Sequence, residues 1–188
     1  MNERVLRKIN NLESIERFPA KELFSYFSLK KSDQVLDLGA GTGYISLPFA
    51  NLVKGVTAFD FDEDILQYLE AKAKEKKIVN IKTVQGDFKD MPLPSEQFDV
   101  AIASISLHEV QPLEQALEEV YRVLHDGGTF LCIELEKVAS AQAPRVPSDE
   151  MVEVMKRVGF TITEKQFPTT QVAKQPVYVI VAKKLGNK

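Results

Sequence analysis

At 188 residues, 44% hydrophobic and 27% charged, the chain has the length and balance of one globular domain with a sizeable core. Its formal net charge of −3 argues against general attraction to nucleic acid or to an anionic membrane. One cysteine, Cys132, excludes an internal disulfide framework and a multi-thiolate metal site.

The amino terminus, MNERVLRKIN, is charged and carries no apolar signal core. The longest strongly apolar run, Val177–Ala182, is far too short to span a bilayer, so a cytoplasmic protein is expected. Over residues 1–33, Val5, Ile9 and Leu12 recur at helical spacing, and Leu23, Phe24 and Phe27 do so after Pro19. Pro19 suits the first turn of a second helix, where its missing N–H costs nothing. These two helices either pack on one sheet face or form a lid over a substrate pocket.

The stretch Gln34–Ala50, QVLDLGAGTGYISLPFA, organises the rest. Val35, Leu36 and Leu38 form a short apolar run of the kind that makes a buried parallel strand. Gly39, Gly41 and Gly43 follow, and then a helical pattern through Ile45, Leu47 and Phe49. A strand, a glycine-rich turn and a helix build a cofactor site at the carboxyl end of a strand in open α/β sheets. A dinucleotide fingerprint would need a third glycine where Tyr44 stands, and a P-loop would need a lysine in the turn. What remains is Asp37-x-Gly39-x-Gly41-x-Gly43. An acid at this point suits a cationic amino-acid head group and repels a pyrophosphate. The segment VLDLGAGTG resembles the first motif of class I S-adenosylmethionine-dependent methyltransferases, of the ubiquinone/menaquinone-biosynthesis type. The resemblance implies a cofactor site formed by Asp37, Gly39, Gly41, Gly43 and Tyr44.

Gly55–Asp60 reads as a second buried strand ending in an acid, seventeen residues beyond Gly43. A ribose-binding carboxylate falls near this place in nucleoside sites on such sheets, and one carboxylate can accept from both vicinal hydroxyls. Phe61 could lie against an adenine face. Asp62 reads as the N-cap of a helix running to about Lys77. Its lysines 72, 74, 76 and 77 read as a solvated face and helix end.

Ile81–Gln85 reads as a third strand, and GDFKDMPLPSEQFDV after it resembles the family stretch GDAxxLPFPDxSFDV. By position the resemblance gives Asp87 the adenine amino group and Phe88 N–H a ring nitrogen. Asp87 read alone could equally be a turn residue bonding its own backbone. Phe98–Ala103 is a fourth strand, and Ser104–Val110 resembles the segment beside the methyl group in that family. Ser104 stands where asparagine is frequent, and Glu109 where a second histidine is. The Asn/Asp-Pro-Pro-Tyr motif of amino-group-modifying branches is missing here. His108 is a candidate general base, or else a residue that fixes the loop by a hydrogen bond.

Pro112–Leu124 is helical, Gly127-Gly128 stops it, and Thr129–Leu135 makes a fifth strand that buries Cys132 as an inert thiol. His125 reads as a turn residue. Glu134 and Glu136 fall near the carboxyl end of that strand, where one could face the pocket. A short loop, Lys137–Pro147, stands where larger relatives insert a subdomain, which favours a small acceptor. Ser148 can cap a helix over Glu150–Val158 closed by Gly159, and Phe160–Phe167 and Pro176–Lys184 read as a strand pair.

Residues 1–188 are thus expected to form a single doubly wound, Rossmann-like α/β domain with helices on both faces of a mostly parallel seven-stranded sheet. The resemblance implies the strand order 3-2-1-4-5-7-6 with strand 7 antiparallel. It also implies S-adenosylmethionine as cofactor, S-adenosylhomocysteine as product and a small-molecule methyl acceptor. Two rivals stay open: a NAD(P)-dependent oxidoreductase, and a protein that binds S-adenosylmethionine without catalysis.

Overall fold

A computed structural model of the chain describes residues 3–138 and 144–186. In chain order the elements are α1 (Glu3–Ser14), α2 (Ala20–Leu23), β1 (Gln34–Leu38), α3 (Ser46–Ala50), β2 (Gly55–Asp60), α4 (Glu63–Glu75) and β3 (Ile81–Gln85). They continue with β4 (Phe98–Ser104), α5 (Leu113–Val123), β5 (Leu124–Leu135), α6 (Ser148–Val158), β6 (Thr161–Gln166), β7 (Gln171–Val172) and β8 (Gln175–Lys183).

The sheet runs β3-β2-β1-β4-β5-β8-β6. The five strands from β3 to β5 pair in parallel, while β8 lies antiparallel between β5 and β6. This is the order expected from the resemblance, with one strand more than the seven expected. The additional strand, β7, pairs Val172 with Gln175 across a two-residue turn in which Ala173 and Lys174 hold φ of 50° and 60°. Two successive left-handed residues make a tight hairpin turn of the primed type. Neither residue is the glycine or asparagine that usually announces one.

Successive residues of β1 point to opposite faces, and both faces are covered, as a doubly wound sheet requires. Leu36 and Leu38 join Phe98, Phe130 and Cys132 under α5 and α6, where Leu117, Val120, Met151 and Met155 are buried. Val35 joins Val100, Ile102, Leu131 and Ile133 on the other face, beneath Phe18, Leu23 and Phe49. Cys132 is fully buried, and burial pushes its thiol well above the ordinary range, as expected of an inert core residue.

Local chemistry explains two helix ends, whereas α6 begins at Ser148 itself, after Pro147, without the side-chain cap expected from Ser148. Asp62 Oδ1 accepts from Ile65 N–H at 3.1 Å and starts α4. Gly159, at φ +117°, closes α6 and returns its N–H to Lys156 O at 3.1 Å. The second helix is shorter than the spacing of Leu23, Phe24 and Phe27 predicts. It stops at Leu23, and Phe24 and Phe27 turn instead onto Phe49, with ring centroids 5.0 and 6.3 Å away. Part of the expected Lys137–Pro147 loop lies outside the described residues. No helix among the described residues is long and apolar enough to cross a membrane.

Candidate functional site

The carboxyl ends of β1, β2 and β4 open into a cavity of about 880 Å³, walled on one side by α1 and the segment after it. Its floor is the turn after β1. Gly39 and Ala40 donate their N–H groups to Phe59 O at 2.8 and 3.0 Å, which ties the turn to β2. The three glycines serve different ends. Gly39, at φ +75°, meets the loop after β4: a Cβ there would stand 2.6 Å from Ser106 Cβ. Gly43 lets α4 pack close, since its Cβ would fall 2.2 Å from Leu69 Cδ1. Gly41, at φ +51°, lines the cavity, and its Cβ would find no atom nearer than Gly39 O at 4.0 Å. An added methyl would therefore occupy open cavity.

Asp60 lies on the cavity wall with 8% of its surface exposed. Its Oδ2 accepts from Gly41 N–H at 2.9 Å and its Oδ1 from Asp62 N–H at 3.1 Å. Two fixed bonds set the plane of the carboxylate and leave each oxygen a further lone pair. Phe61 beside it is 69% exposed, and Lys8 Nζ sits 4.8 Å from its ring centroid while pairing with Asp62. Beside them, where Gly86 donates its N–H to Asp60 O at 3.1 Å, Asp87 Oδ1 accepts from Lys89 N–H at 2.9 Å, the self-bonded turn considered for it, and Asp87 also lines the cavity. Phe88 lines it too and packs on Phe59 with centroids 5.7 Å apart.

Asp37 does not reach the lining. It is 2% exposed, and its Oδ2 accepts from both Ser46 N–H and Ser46 Oγ, at 3.0 and 2.6 Å. Burial raises its pKa to about 6 against these bonds, with Asp60 raising it further and Arg17 opposing. Tyr44 also turns away from the lining. Its hydroxyl donates to Phe18 O at 2.7 Å and accepts from Ala20 N–H at 2.9 Å, fastening the segment before α2 to the turn.

The loop after β4 forms the third wall through Ser104, Ile105 and Ser106. Ser106 Oγ donates to Leu38 O at 2.9 Å, and Ile105, at φ +54°, donates its N–H to Ile133 O at 2.8 Å. Fully buried Glu134 holds the rest. Its Oε1 accepts from Leu107 and His108 N–H at 2.7 and 3.3 Å, and its Oε2 lies 3.0 Å from His108 Nδ1. A carboxylate can only accept, so Nδ1 carries the proton and Nε2 is left 3.8 Å from Glu109 Oε1. The Glu134 bond raises the His108 pKa, with burial opposing. Glu136, the other carboxylate weighed for the pocket, instead accepts from Ser148 N–H at 3.2 Å.

Sequence pattern offers the N-terminal helices as a lid or as packing on the sheet, but singles out none of the side chains that this segment brings to the cavity. Lys8, Leu12 and Arg17 line the cavity, and Lys72, expected on a solvated face, reaches back to Glu13 at 2.7 Å and Thr42 O at 3.2 Å.

A family model described as a methyltransferase domain matches residues 36–132. A demethylmenaquinone methyltransferase of Listeria welshimeri is 31% identical over 135 residues, which span 70% of this chain and 55% of that protein. A ubiquinone/menaquinone biosynthesis C-methyltransferase of Shewanella woodyi is 28% identical over 169 residues, or 85% of this chain and 67% of the other. The chain thus spans little more than half the length of the Listeria protein. A solved S-adenosylmethionine-dependent methyltransferase from Aquifex aeolicus shares the fold, with a TM-score of 0.81 at 20% identity over 95% of this chain and 98% of its own.

Proposed function

The chain belongs to the methyltransferase domain family, and from that premise we propose that it binds S-adenosylmethionine in the cavity and transfers the methyl group to a small-molecule acceptor. The observation that carries this reading is Asp60. Its carboxylate is oriented by two backbone N–H groups beside a glycine floor with no Cβ in the way. Such a group suits a pair of vicinal hydroxyls. Phe61 offers an exposed aromatic surface next to it, and Asp87 and Phe88 line the cavity just past the end of the neighbouring strand β3. These residues would hold the ribose and the base, with Gly39, Gly41 and Ser104 beneath the sulfur end.

When bound, S-adenosylmethionine supplies an already activated methyl group on a sulfonium centre. The protein's part is therefore to orient and to exclude water, and orientation alone can contribute roughly 7–11 kcal/mol. In this proposal His108 is a positioning residue. Its Nδ1 is committed to Glu134 and its raised pKa favours the cation, which suits bracing the loop better than taking a proton. Tyr44, standing where a dinucleotide fingerprint needs its third glycine, argues against a dinucleotide. The names of the relatives make demethylated quinols a first class of acceptor to try, and a cytoplasmic site of action belongs to the same proposal.

The test is calorimetry of S-adenosylhomocysteine and NADH, followed by an acceptor screen that reads S-adenosylhomocysteine release. Binding of S-adenosylhomocysteine with turnover of at least one acceptor is expected, and Asp60→Ala should weaken that binding at least tenfold. Binding of NADH alone would overturn the reading. Tight S-adenosylhomocysteine binding with no turnover would favour a non-catalytic binding protein.

A further inference from the structure

The sheet ends at β3, which pairs with β2 alone among the described residues. Val56 N–H donates to Asn80 O at 2.9 Å, and Gly86 N–H donates to Asp60 O at 3.1 Å. Backbone groups alternate in direction along a strand, so those of Asn80, Lys82, Val84 and Gly86 face β2. The N–H and C=O groups of Ile81, Thr83 and Gln85 then face outward. Such a row of unpaired groups is a template on which an extended segment can add as a further strand.

Beside this edge, where α4 packs against β3, lies a second cavity of about 470 Å³ with Ala73, Ile78, Val79 and Ile81 in its lining. Val79 is 95% exposed, an apolar side chain that the fold itself does not use. The rest of the lining is mostly cationic. Lys74, Lys77 and Lys82 contribute to it, and Lys76 stands next to Lys77 at the end of α4. All four lysines are exposed, and none of their ammonium groups has an ion pair or hydrogen bond among the described residues. Glu70 accepts from the Thr83 hydroxyl, and Glu75 is the other acid in this half of α4, so positive charge prevails.

We propose that this edge is a docking surface for an extended acidic segment of a partner protein, which adds to the sheet beside β3 and lays apolar side chains into the groove. The edge supplies backbone pairing, the groove supplies apolar contact, and the lysines set the sign of the partner's charge. A lysine on an edge strand deters neutral and basic strands, but it favours an acidic one. Pairing β3 with β3 of a second copy would set the same lysines against each other, which like-charge repulsion opposes. Surfaces for single-stranded nucleic acid combine cations with aromatic platforms, and no aromatic side chain lines this groove. The groove shares no lining residue with the cofactor cavity, so its role is independent of what that cavity binds.

The experiment uses the full chain and a short synthetic peptide alternating valine with glutamate, read by fluorescence anisotropy and by amide hydrogen exchange. The peptide should bind, slow exchange at the Ile81, Thr83 and Gln85 amides, and bind more weakly as salt rises. The double variant Lys77→Glu with Lys82→Glu should lose about tenfold or more in affinity. Its Tm should be unchanged, since both side chains are exposed. A peptide with lysine in place of glutamate should not bind, nor should one N-methylated along its backbone. Failure of the acidic peptide to bind would overturn the proposal, as would binding without protection of those three amides or equal binding of either control peptide. So would tighter binding to heparin or to phosphatidylserine vesicles than to the peptide, lost on the same charge reversal, which would make the lysines a site for nucleic acid or for a membrane.

Discussion

Alanine at Gly39 and at Gly41 should injure the protein in different ways. Both positions hold left-handed backbone, at φ +75° and +51°, where a residue with a Cβ costs about 1–2 kcal/mol. At Gly39 the methyl would also stand 2.6 Å from Ser106 Cβ and 3.1 Å from its Oγ. Ser106 cannot retreat without loosening its 2.9 Å bond to Leu38 O, so an overpacking cost of about 1–3 kcal/mol is added. Gly39→Ala should therefore lose roughly 2–5 kcal/mol, lowering Tm by on the order of 10 °C in a chain of this length. Gly41→Ala meets only Gly39 O, at an unstrained 4.0 Å, and should lose only the backbone share, about 1–2 kcal/mol. Its methyl would fill the cavity floor beside the Gly41–Asp60 bond, so its main effect should be on binding. Urea unfolding and calorimetry with S-adenosylhomocysteine separate the two effects. Gly41→Ala should keep most of its stability and lose at least tenfold in affinity, which is about 1.4 kcal/mol. The reasoning fails if Gly41→Ala binds like the wild type, or if it is destabilised as much as Gly39→Ala.

Two further outcomes concern pH. Asp37 is raised from the ordinary carboxylate value to about 6 by burial. A raised folded pKa means that its contribution to stability is whole below about pH 4 and is lost as pH climbs through 6, roughly 2–4 kcal/mol in all. Asp37→Asn, which can still accept from Ser46, should lack that decline, and the difference between the two stability curves should appear between about pH 4 and 6. A flat difference curve would mean that Asp37 is not the group responsible. His108 is also raised, by its bond to Glu134, so its contribution is whole below about pH 6.5 and fades as pH rises through the folded value. His108→Gln should be less stable on the acid side and converge on the wild type in alkali. A constant offset at every pH would instead point to lost packing.

Much of the strand and turn framework could be read directly, because it is written in local pattern. The apolar run Val35–Leu38, the Asp62 cap and the closing Gly159 each act within a few residues of themselves. What escaped reading depends on contacts made across the fold. Lys72 ends a helix face that looks solvated, yet it joins Glu13 and Thr42 O, 59 and 30 residues away. Glu134 and Glu136 look alike in sequence. Only the fold shows that one is sealed under the loop after β4 while the other meets the start of α6. Arg17 follows α1 with no motif around it and comes to the cavity only because Tyr44 fastens its neighbours to the turn. Asp37 shows the converse: it sits within the most legible motif, and packing places it where the motif alone does not say. The loop after β4 is least legible, since His108 and Ser106 are set by bonds to β5 and β1 rather than by their own segment.

The position of β8 bears on how the chain comes to life at the ribosome. It is the strand that closes the gap between β5 and β6, yet it is the last of the sheet to be synthesised. The hairpin leading into it also receives the cavity wall, through Thr170 on Glu22 and Ala173 on Glu16, 148 and 157 residues apart in the sequence. A nascent chain emerging in order can pair β1 through β5 as they appear. It keeps two strand edges open until Gln175–Lys183 is out of the exit tunnel. Only then do the segments around Glu16 and Glu22 gain the partners that hold the wall. Translation therefore delivers this site late: a chain stalled before β8 carries every glycine of the turn and an incomplete enclosure, with bare edges for a chaperone to cover.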